Sequence, residues 1–381
     1  MGDLDDLLAE LREFAEDTLS EDSLRTVARD HEGTFAFDAW RACADFGILG
    51  WAVPPDHGGS GLGASAVVRL MEMLGRHCRD NGLTFALGAQ MWGIQSAILE
   101  FGTPEQIAHY LPRLLSGRSV AAYAITERGS GSDAFGLETT AQRTEGGYRL
   151  NGEKVLISFA PIADFALVFG KTDPSAGRWG ITAFLVDADT PGYVAHPVEH
   201  KMGLRTVPFG RISLEDCEIP EERRLGPEGA GASIFTTSQA WERSLVLAPQ
   251  VGAMARQLDE CVAEARNRSR GGRPIGSHQA ISHRIADMKM RLDLSRLLLY
   301  RTADLLEEGR STLMETAVAK AFLSEAFVES SRDAISIFGG EGYKTDTEVE
   351  RDLRDALAAT IYGGTADVQR NIVAGLLGLP S

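Results

Sequence analysis

AYAITERGSGSDAFGLETTAQR (residues 122–143) and YRLNGEKVLIS (residues 148–158) are the most informative segments of this 381-residue chain. Both contain short runs of β-branched and aromatic residues, separated by turns rich in Gly, Asp and Ser. Similar runs, such as FALVFGKT and ITAFLVDA, continue to about residue 225. No helical pattern separates them, as parallel βαβ units would require. These segments therefore predict an all-β insert, either a compact barrel or a sandwich.

Helical periodicity flanks the β insert on both sides. At the N-terminus, apolar residues recur at three- and four-residue spacing, which indicates one buried helical stripe: Leu4, Leu7, Leu8, Leu11 and Phe14. A similar stripe in the C-terminal part ends near Gly309: Ile281, Ile285, Met288, Leu292, Leu299 and Leu306. A further helix is predicted to stop at Gly339–Gly340, and the last one to start after Thr365, a typical N-cap residue. The pattern predicts a mainly α protein with a β insert.

Composition excludes several classes of function. The formal net charge of −16 disfavours nucleic acid and anionic membrane surfaces as partners. No run of eighteen apolar residues occurs, and the N-terminus lacks the features of a signal peptide, so we expect a cytoplasmic protein without a membrane span. The four cysteines are widely spaced, which favours neither a disulfide framework nor a zinc knuckle. His196 and His200 in HPVEH lie in a β-rich context with Pro197, so no metal site is expected.

Two further segments complete a recognisable set of motifs. They are KMGLRTVPFGRISLEDCEIPEERRLG (residues 201–226) and RDLRDALAATIYGGTADVQRNIVAGLL (residues 351–377). In order and spacing, the four segments resemble the acyl-CoA dehydrogenase family. The resemblance implies an N-terminal all-α domain (residues 1–118), a middle β-barrel domain (residues 119–228) and a C-terminal four-helix bundle (residues 229–381).

The resemblance also implies an FAD site in the β domain. Tyr123, Ile125 and Thr126 would lie along the flavin, and Ser158 would hydrogen-bond the edge of its ring. Gly131 permits close backbone approach, and Ser132 would lie near a phosphate or the substrate. By itself GSGSD is more often only a turn. Leu156 stands where the family usually has an aromatic residue against the flavin, which indicates a reshaped pocket.

The C-terminal bundle is expected to complete the cofactor site. Arg268 would bind the FAD pyrophosphate, commonly from a neighbouring subunit, because its planar guanidinium suits a diphosphate. Read without the resemblance, it could equally be a solvated arginine in RNRSRGGR. The other expected cofactor contacts are His278, Gln279, Ser336, Gly339, Gly340, Thr365 and Asp367. A homodimer or homotetramer would follow from such sharing of the FAD sites.

The catalytic base is expected at Glu242. Most family members carry a glutamate directly before the C-terminal Gly-Thr, where this chain has Gly363. A smaller subset, resembling isovaleryl-CoA and long-chain dehydrogenases, places the glutamate in a Glu-Arg pair, which Glu242 and Arg243 match. Arg243 and Gly364 would then contact the substrate, and the backbone of Gly363 would still offer an N–H to the thioester carbonyl. The alternative is that Glu242 and Arg243 form only a structural ion pair.

The function implied by the resemblance is FAD-dependent α,β-dehydrogenation of an acyl thioester. The carrier would be coenzyme A or an acyl-carrier protein. Ala240 stands where many members have a polar residue near the pantetheine arm, which is compatible with an acyl-carrier protein. An electron-transfer flavoprotein or O₂ would accept the electrons. Two alternatives remain: a flavin-dependent monooxygenase or oxidase on the same fold, and a non-catalytic member of the family.

Overall fold

The computed structural model describes residues 2–19 and 23–379. Its N-terminal region is helical, and Leu11 and Trp40 are fully buried in its core. Two π-helical segments, Ala15–Leu19 and Ala89–Gln95, interrupt the α-helices. The α-helices are α1 (Gly2–Phe14), α2 (Ser23–Glu32), α3 (Phe37–Asp45), α4 (Ala64–His77), α5 (Asn81–Gly88), α6 (Ser96–Phe101) and α7 (Pro104–Leu115).

Local capping explains where some of these helices begin. Thr103 accepts a hydrogen bond from the Gln106 backbone N–H, and the Gln106 side chain accepts one from the Thr103 backbone N–H. This reciprocal capping box, followed by Pro104 at the first helical position, fixes the start of α7. Asp80 caps the start of α5, because its carboxylate accepts hydrogen bonds from the backbone N–H groups of Gly82 and Leu83.

The middle of the chain forms one mixed sheet. Its strands are β1 (Ala121–Ala124), β2 (Thr140–Thr144), β3 (Gly147–Ser158), β4 (Phe165–Lys171), β5 (Ile181–Asp187), β6 (Tyr193–Ala195), β7 (Phe209–Pro220) and β8 (Arg224–Leu225). The strand order is β6-β7-β3-β2-β4-β5-β8, with β1 paired in parallel to β4. The predicted β domain between two helical regions is confirmed. The sheet is not closed into a barrel, because β6 and β8 are its unjoined edges.

A buried ion pair fastens the turn after β1 to the long strand β3. The Lys154 side chain is fully buried, and its ammonium group lies 2.7 Å from Glu127 Oε1. Glu127 also accepts hydrogen bonds from the backbone and hydroxyl groups of Thr139. Burial lowers the pKa of Lys154 to about 8. Because a buried charge is costly unless it is paired, this contact holds residues 127–139 against the sheet.

The C-terminal region is again helical. It contains α8 (Gly231–Leu245), α9 (Ala248–Asn267), the short hairpin β9 (Ser269–Arg270) and β10 (Arg273–Pro274), α10 (Gln279–Glu307), α11 (Leu313–Phe338), α12 (Glu348–Ala359) and α13 (Ala366–Leu376). The ends predicted for α10 and α11 are confirmed. Thr365 caps α13, since its hydroxyl accepts a hydrogen bond from the Val368 backbone N–H at 3.1 Å.

Some classes of feature are not found in the described part of the chain. None of the helices within residues 2–19 and 23–379 is long and apolar enough to cross a bilayer. Within the same ranges, no cluster of three or more His, Cys, Asp or Glu side chains is arranged to bind a metal ion. Cys43, Cys78, Cys217 and Cys261 are buried free thiols.

Candidate active site

Helix α8 carries Glu242 near its C-terminal end. Residues three and four positions apart share one face of a helix, so Gln239 and Ser238 lie beside Glu242. The Gln239 amide donates a hydrogen bond to Glu242 Oε2. The Ser238 hydroxyl lies 2.8 Å from the hydroxyl of Tyr123 on β1. The structure thus brings the expected base close to the first of the expected flavin residues.

Gly93, in the π-helical segment Ala89–Gln95, lies against both Tyr123 and Glu242. A Cβ atom at this position would lie 3.4 Å from Tyr123 Cδ2 and 3.8 Å from Glu242 Oε2. Any larger side chain would therefore occupy the space in front of the carboxylate. Single π-helical turns inside α-helices are frequent at functional sites. The sequence analysis missed Gly93, because a helical glycine gives no local indication of which side chain it faces.

The environment of Glu242 changes its proton affinity. Its side chain is half-buried, and burial raises the pKa of the carboxyl group. This increase is opposed by Arg243, by the hydrogen bond from Gln239 and by Lys320, which lower the pKa. The net shift of the Glu242 pKa is upward. A carboxylate that binds protons more readily is better matched to general-base work near neutral pH.

Lys320 is a second buried charge beside Glu242 that the sequence analysis missed. It lies on α11, is 1% exposed, and donates a hydrogen bond to the Ala359 carbonyl at 2.6 Å. Its ammonium nitrogen lies 5.4 Å from the centroid of the Tyr362 ring. Burial lowers the pKa of Lys320 to about 8, while Glu242 raises it. The sequence gives one indication of this burial: Lys320 is the single charged residue in the otherwise apolar run AVAKAFL.

Arg243 meets the C-terminal Gly-Gly pair. Its Nε donates a hydrogen bond to the Gly363 carbonyl at 2.9 Å. The Gln369 amide donates to the carbonyls of Gly363 and Gly364, at 3.2 Å each. Both glycines have positive φ, +63° and +85°, which only glycine adopts without strain. The three residues expected at the thioester, Arg243, Gly363 and Gly364, therefore form one cluster.

Aromatic side chains border the same region. The rings of Trp92 and Trp241 stack at 6.2 Å between centroids with an interplanar angle of 12°. The ring of Tyr362 packs against Phe85 at 4.8 Å. Burial raises the pKa of the Tyr362 hydroxyl, and the charges of Glu242 and Asp355 raise it further. Tyr362 is therefore a neutral phenol at ordinary pH.

The flavin residues expected in the β domain lie at or near the C-terminal ends of β1 and β3. Ile125 is buried, and the Thr126 carbonyl accepts a hydrogen bond from the Val155 backbone at 2.9 Å. Ser158, at the end of β3, is half-buried, whereas Leu156 is 59% exposed with φ +58°. The turn residues Gly131 and Ser132 are exposed. Leu156 lies where the pairing of β3 with β7 shifts register between Lys154 and Ile157, and this irregularity accounts for its positive φ.

The expected cofactor residues of the bundle fall into two groups. Arg268 donates a hydrogen bond to the Phe338 carbonyl at 2.7 Å, and its Nη2 lies 4.0 Å from a Cβ placed at Gly339. His278 accepts a hydrogen bond from Arg273 at 3.1 Å. The remaining expected residues are exposed or half-buried: Gln279, Ser336, Gly340, Thr365 and Asp367.

Three family models match the chain in sequence order. The acyl-CoA dehydrogenase N-terminal domain matches residues 3–118, the middle domain residues 122–217, and the C-terminal domain residues 229–377. Together they cover most of the 381 residues. The three matches leave only short segments between them.

Relatives extend over the whole chain. An L-prolyl-[peptidyl-carrier protein] dehydrogenase of Pseudomonas fluorescens is 39% identical over 93% of this chain and 93% of the relative. The crystal structure of the prolyl acyl carrier protein oxidase AnaB superposes with a TM-score of 0.97 at 39% identity, covering all of both chains. A structure of PigA with FAD and proline gives 0.96 at 36% identity, covering 100% of this chain and 98% of that one.

Proposed function

The chain belongs to the acyl-CoA dehydrogenase family, and from this premise we propose that it oxidises an L-prolyl group bound as a thioester to a peptidyl-carrier protein. Members of the family are flavin oxidoreductases that act on acyl thioesters. The carrier-bound prolyl group is favoured because two relatives named for that substrate match 93% and 96% of the chain. The observation that carries the chemistry is the position of Glu242, a half-buried carboxylate facing Tyr123 and Gly93.

Glu242 is proposed as the base that removes the α-proton of the thioester. Its Oε2 atom would receive this proton, and the raised pKa of the carboxyl group would favour the transfer. The Gln239 amide would orient the carboxylate. The developing negative charge on the thioester oxygen would be stabilised by the backbone N–H of Gly363, while Arg243 and Gly364 would position the thioester.

FAD is the proposed cofactor, and when bound it would accept the β-hydrogen as a hydride. The residues present suit such a group. The Ser130 hydroxyl, beside the exposed turn at Gly131 and Ser132, is buried without a hydrogen-bond partner in residues 2–19 and 23–379. Leu156 offers an exposed apolar side chain for a ring system to cover. Tyr123, Ile125, Thr126 and Ser158 are proposed to lie along the flavin.

The remaining cofactor contacts are proposed to come from the helical bundle. Arg268 would bind the pyrophosphate, as part of the set His278, Gln279, Ser336, Gly339, Gly340, Thr365 and Asp367. As the resemblance to the family implies for Arg268, we propose that a partner subunit supplies some of these contacts in a homodimer or homotetramer. An electron-transfer flavoprotein or O₂ would reoxidise the enzyme.

The test is anaerobic reduction of the FAD-loaded protein. Mixing with a carrier domain that bears an L-prolyl thioester should bleach the flavin absorbance in a single rapid phase. Glu242→Gln should bind FAD normally but slow the bleaching by about 10²- to 10⁴-fold, the usual effect of losing a general base. Glu325→Gln, an exposed carboxylate on α11, is the control and should bleach at the wild-type rate. Parental bleaching by the Glu242→Gln protein would refute the assignment of the base.

A further inference from the structure

Lys320 on α11 is a buried cation for which the proposed reaction has no use so far. Its ammonium group donates a hydrogen bond to the Ala359 carbonyl and lies near the face of the Tyr362 ring. In the part of the chain that the structure describes, it forms no ion pair with a carboxylate. A neutral carbonyl and an aromatic face offset only part of the cost of burying a charge. A more distant negative charge must therefore contribute.

That negative charge is Glu242. Burial lowers the pKa of Lys320, and the charge of Glu242 opposes this shift. In return, Lys320 is one of the groups that oppose the rise of the Glu242 pKa on burial. The two side chains nevertheless form no direct ion pair, because Lys320 binds Ala359 while Glu242 Oε2 accepts its hydrogen bond from Gln239. The carboxylate thus has a compensating charge nearby and remains available to a substrate.

The packing of α8 against α11 fixes Lys320 relative to Glu242. The hydroxyl groups of Ser244 on α8 and Thr316 on α11 are buried and lie 2.8 Å apart. Ser244 follows Glu242 by two residues. Thr316 precedes Lys320 by four residues, so both share one face of α11. The two charged side chains are therefore carried by helices that a buried hydrogen bond joins close to both of them.

Lys320 also adjoins the turn that is expected to receive the thioester. Ala359 is the last residue of α12, and a cation that binds a carbonyl at the C-terminus of a helix is favourably placed. Four residues later, a Cβ atom at Gly363 would lie 3.9 Å from Lys320 Cε and 3.9 Å from Arg243 Cγ. Lys320 therefore lies beside the proposed reaction site and not merely within the bundle.

Few other groups can set the charge of Glu242. Arg243 is its neighbour on α8 and carries a positive charge of its own. Tyr123 of β1 and Tyr362, which follows α12, also face Glu242, but burial raises the pKa of both hydroxyl groups and leaves them neutral. Within residues 2–19 and 23–379, Lys320 is thus the charge that acts on Glu242 from another element.

We propose that Lys320 is a positioning residue of the reaction, whose positive charge keeps Glu242 ionised and able to accept the α-proton. The inference rests on the proposed function, in which Glu242 is the base. The proton would pass from the α-carbon to the carboxylate, and Lys320 would keep its own. Without this charge, burial would hold the carboxyl group protonated over a wider range of pH. The reaction would then be slowed at low pH and not at high pH.

The pH profile of anaerobic flavin reduction tests this role at saturating carrier-bound prolyl thioester. In wild type the rate constant should rise with pH as Glu242 ionises. In Lys320→Met this rise should move upward by about one pH unit, which makes the variant about tenfold slower at the low end. The two profiles should meet above about pH 8, where Lys320 itself loses its proton. Lys320→Arg retains the charge and should keep the wild-type position of the rise.

A second measurement needs no substrate. The infrared absorption of the protonated Glu242 carboxyl group, identified by its absence in Glu242→Gln, is followed as a function of pH. Its midpoint should also lie about one pH unit higher in Lys320→Met than in wild type. Lys289→Met removes an exposed lysine that pairs with Asp293. This control should leave both the infrared midpoint and the kinetic profile unchanged.

Several outcomes would overturn the inference. An unchanged infrared midpoint in Lys320→Met would show that the charge does not act on Glu242. A loss of rate by the same factor at every pH would show a structural role only, and equal displacement of the profile in Lys320→Arg and Lys320→Met would show an effect of packing. A wild-type flavin that the prolyl thioester fails to reduce would instead refute the proposed function, while the infrared midpoints would still test the action of Lys320 on Glu242.

Discussion

Replacing Lys320 with methionine separates the electrostatic cost of this buried ammonium group from its structural contribution. Lys320 is 1% exposed and donates a 2.6 Å hydrogen bond to the Ala359 carbonyl. Methionine has a similar length and no charge. The substitution therefore removes the charge and leaves one buried carbonyl without its donor, which costs about 1–3 kcal/mol.

The charge of Lys320 destabilises the folded state, and this cost decreases as the pH rises. Burial lowers the pKa of Lys320 from 10.5 to about 8. Below about pH 8 the lysine is protonated in both states, and the folded state carries a penalty of about 3 kcal/mol. Between about pH 8 and 10.5 the unfolded state binds more protons, so the free energy of unfolding rises with pH. At about pH 9.5, about 2 kcal/mol of the penalty has been relieved.

Thermal unfolding at about pH 7 and about pH 9.5 measures this difference. Near neutral pH, removing the cost of the buried charge stabilises the variant by about as much as losing the hydrogen bond destabilises it. Lys320→Met should therefore have a Tm close to that of wild type. At the higher pH the variant should lie about 2–3 °C lower relative to wild type than it does at neutral pH, given the unfolding entropy of a chain this long. Lys289→Met, an exposed lysine paired with Asp293, serves as control.

Parallel pH profiles for wild type and Lys320→Met would contradict this prediction, because they would mean that Lys320 has the same pKa in the folded and unfolded states. Glu242 provides a second check. Its negative charge raises the pKa of Lys320, so in Glu242→Gln the relief of the penalty should begin at a lower pH.

Two further pairs of substitutions test a buried ion pair and the Gly-Gly pair of the site. Arg256→Met should destabilise the protein by about 3–5 kcal/mol, because it leaves buried Asp352 without its ion-pair partner at 3.1 Å. Arg76→Met breaks the exposed pair with Asp259 and should cost no more than about 1 kcal/mol. Chemical denaturation compares the two variants, and equal losses of stability would contradict the role of burial. Gly364→Ala should lower both Tm and thioester reactivity, because its Cβ would lie 2.8 Å from Gln369 Nε2 at φ +85°. Gly309→Ala has a similar φ and open space around its Cβ, so it should lower Tm alone, and identical behaviour of the two variants would count against a role for Gln369 contacts.

Local sequence patterns predicted the helical and β regions and several helix ends. The apolar stripe from Ile281 to Leu306 predicted α10, and Thr365 predicted the start of α13. Both features depend on residues within one or two helical turns, where sequence spacing and spatial neighbourhood coincide. The open sheet was not predicted, because the parallel pairing of β1 with β4 joins residues more than forty positions apart.

The surroundings of Glu242 were predictable only in part. The resemblance to a family pointed to Glu242, Arg243 and Gly363, and the structure brings Arg243 and Gly363 into contact at 2.9 Å. Lys320 and Gly93 were missed, because they reach Glu242 from α11 and from a π-helical turn. Their role depends on long-range packing, and a lysine is ordinarily expected at the surface.

A crystal structure of the FAD complex with a carrier domain that bears an unreactive prolyl amide in place of the thioester would show directly whether Glu242 is the base. We predict that a Glu242 carboxylate oxygen will lie within about 3.5 Å of the prolyl α-carbon, on the side opposite the flavin, as proton abstraction requires. A complex in which another basic group occupies that position, with Glu242 turned away from the α-carbon, would show that Glu242 is not the base.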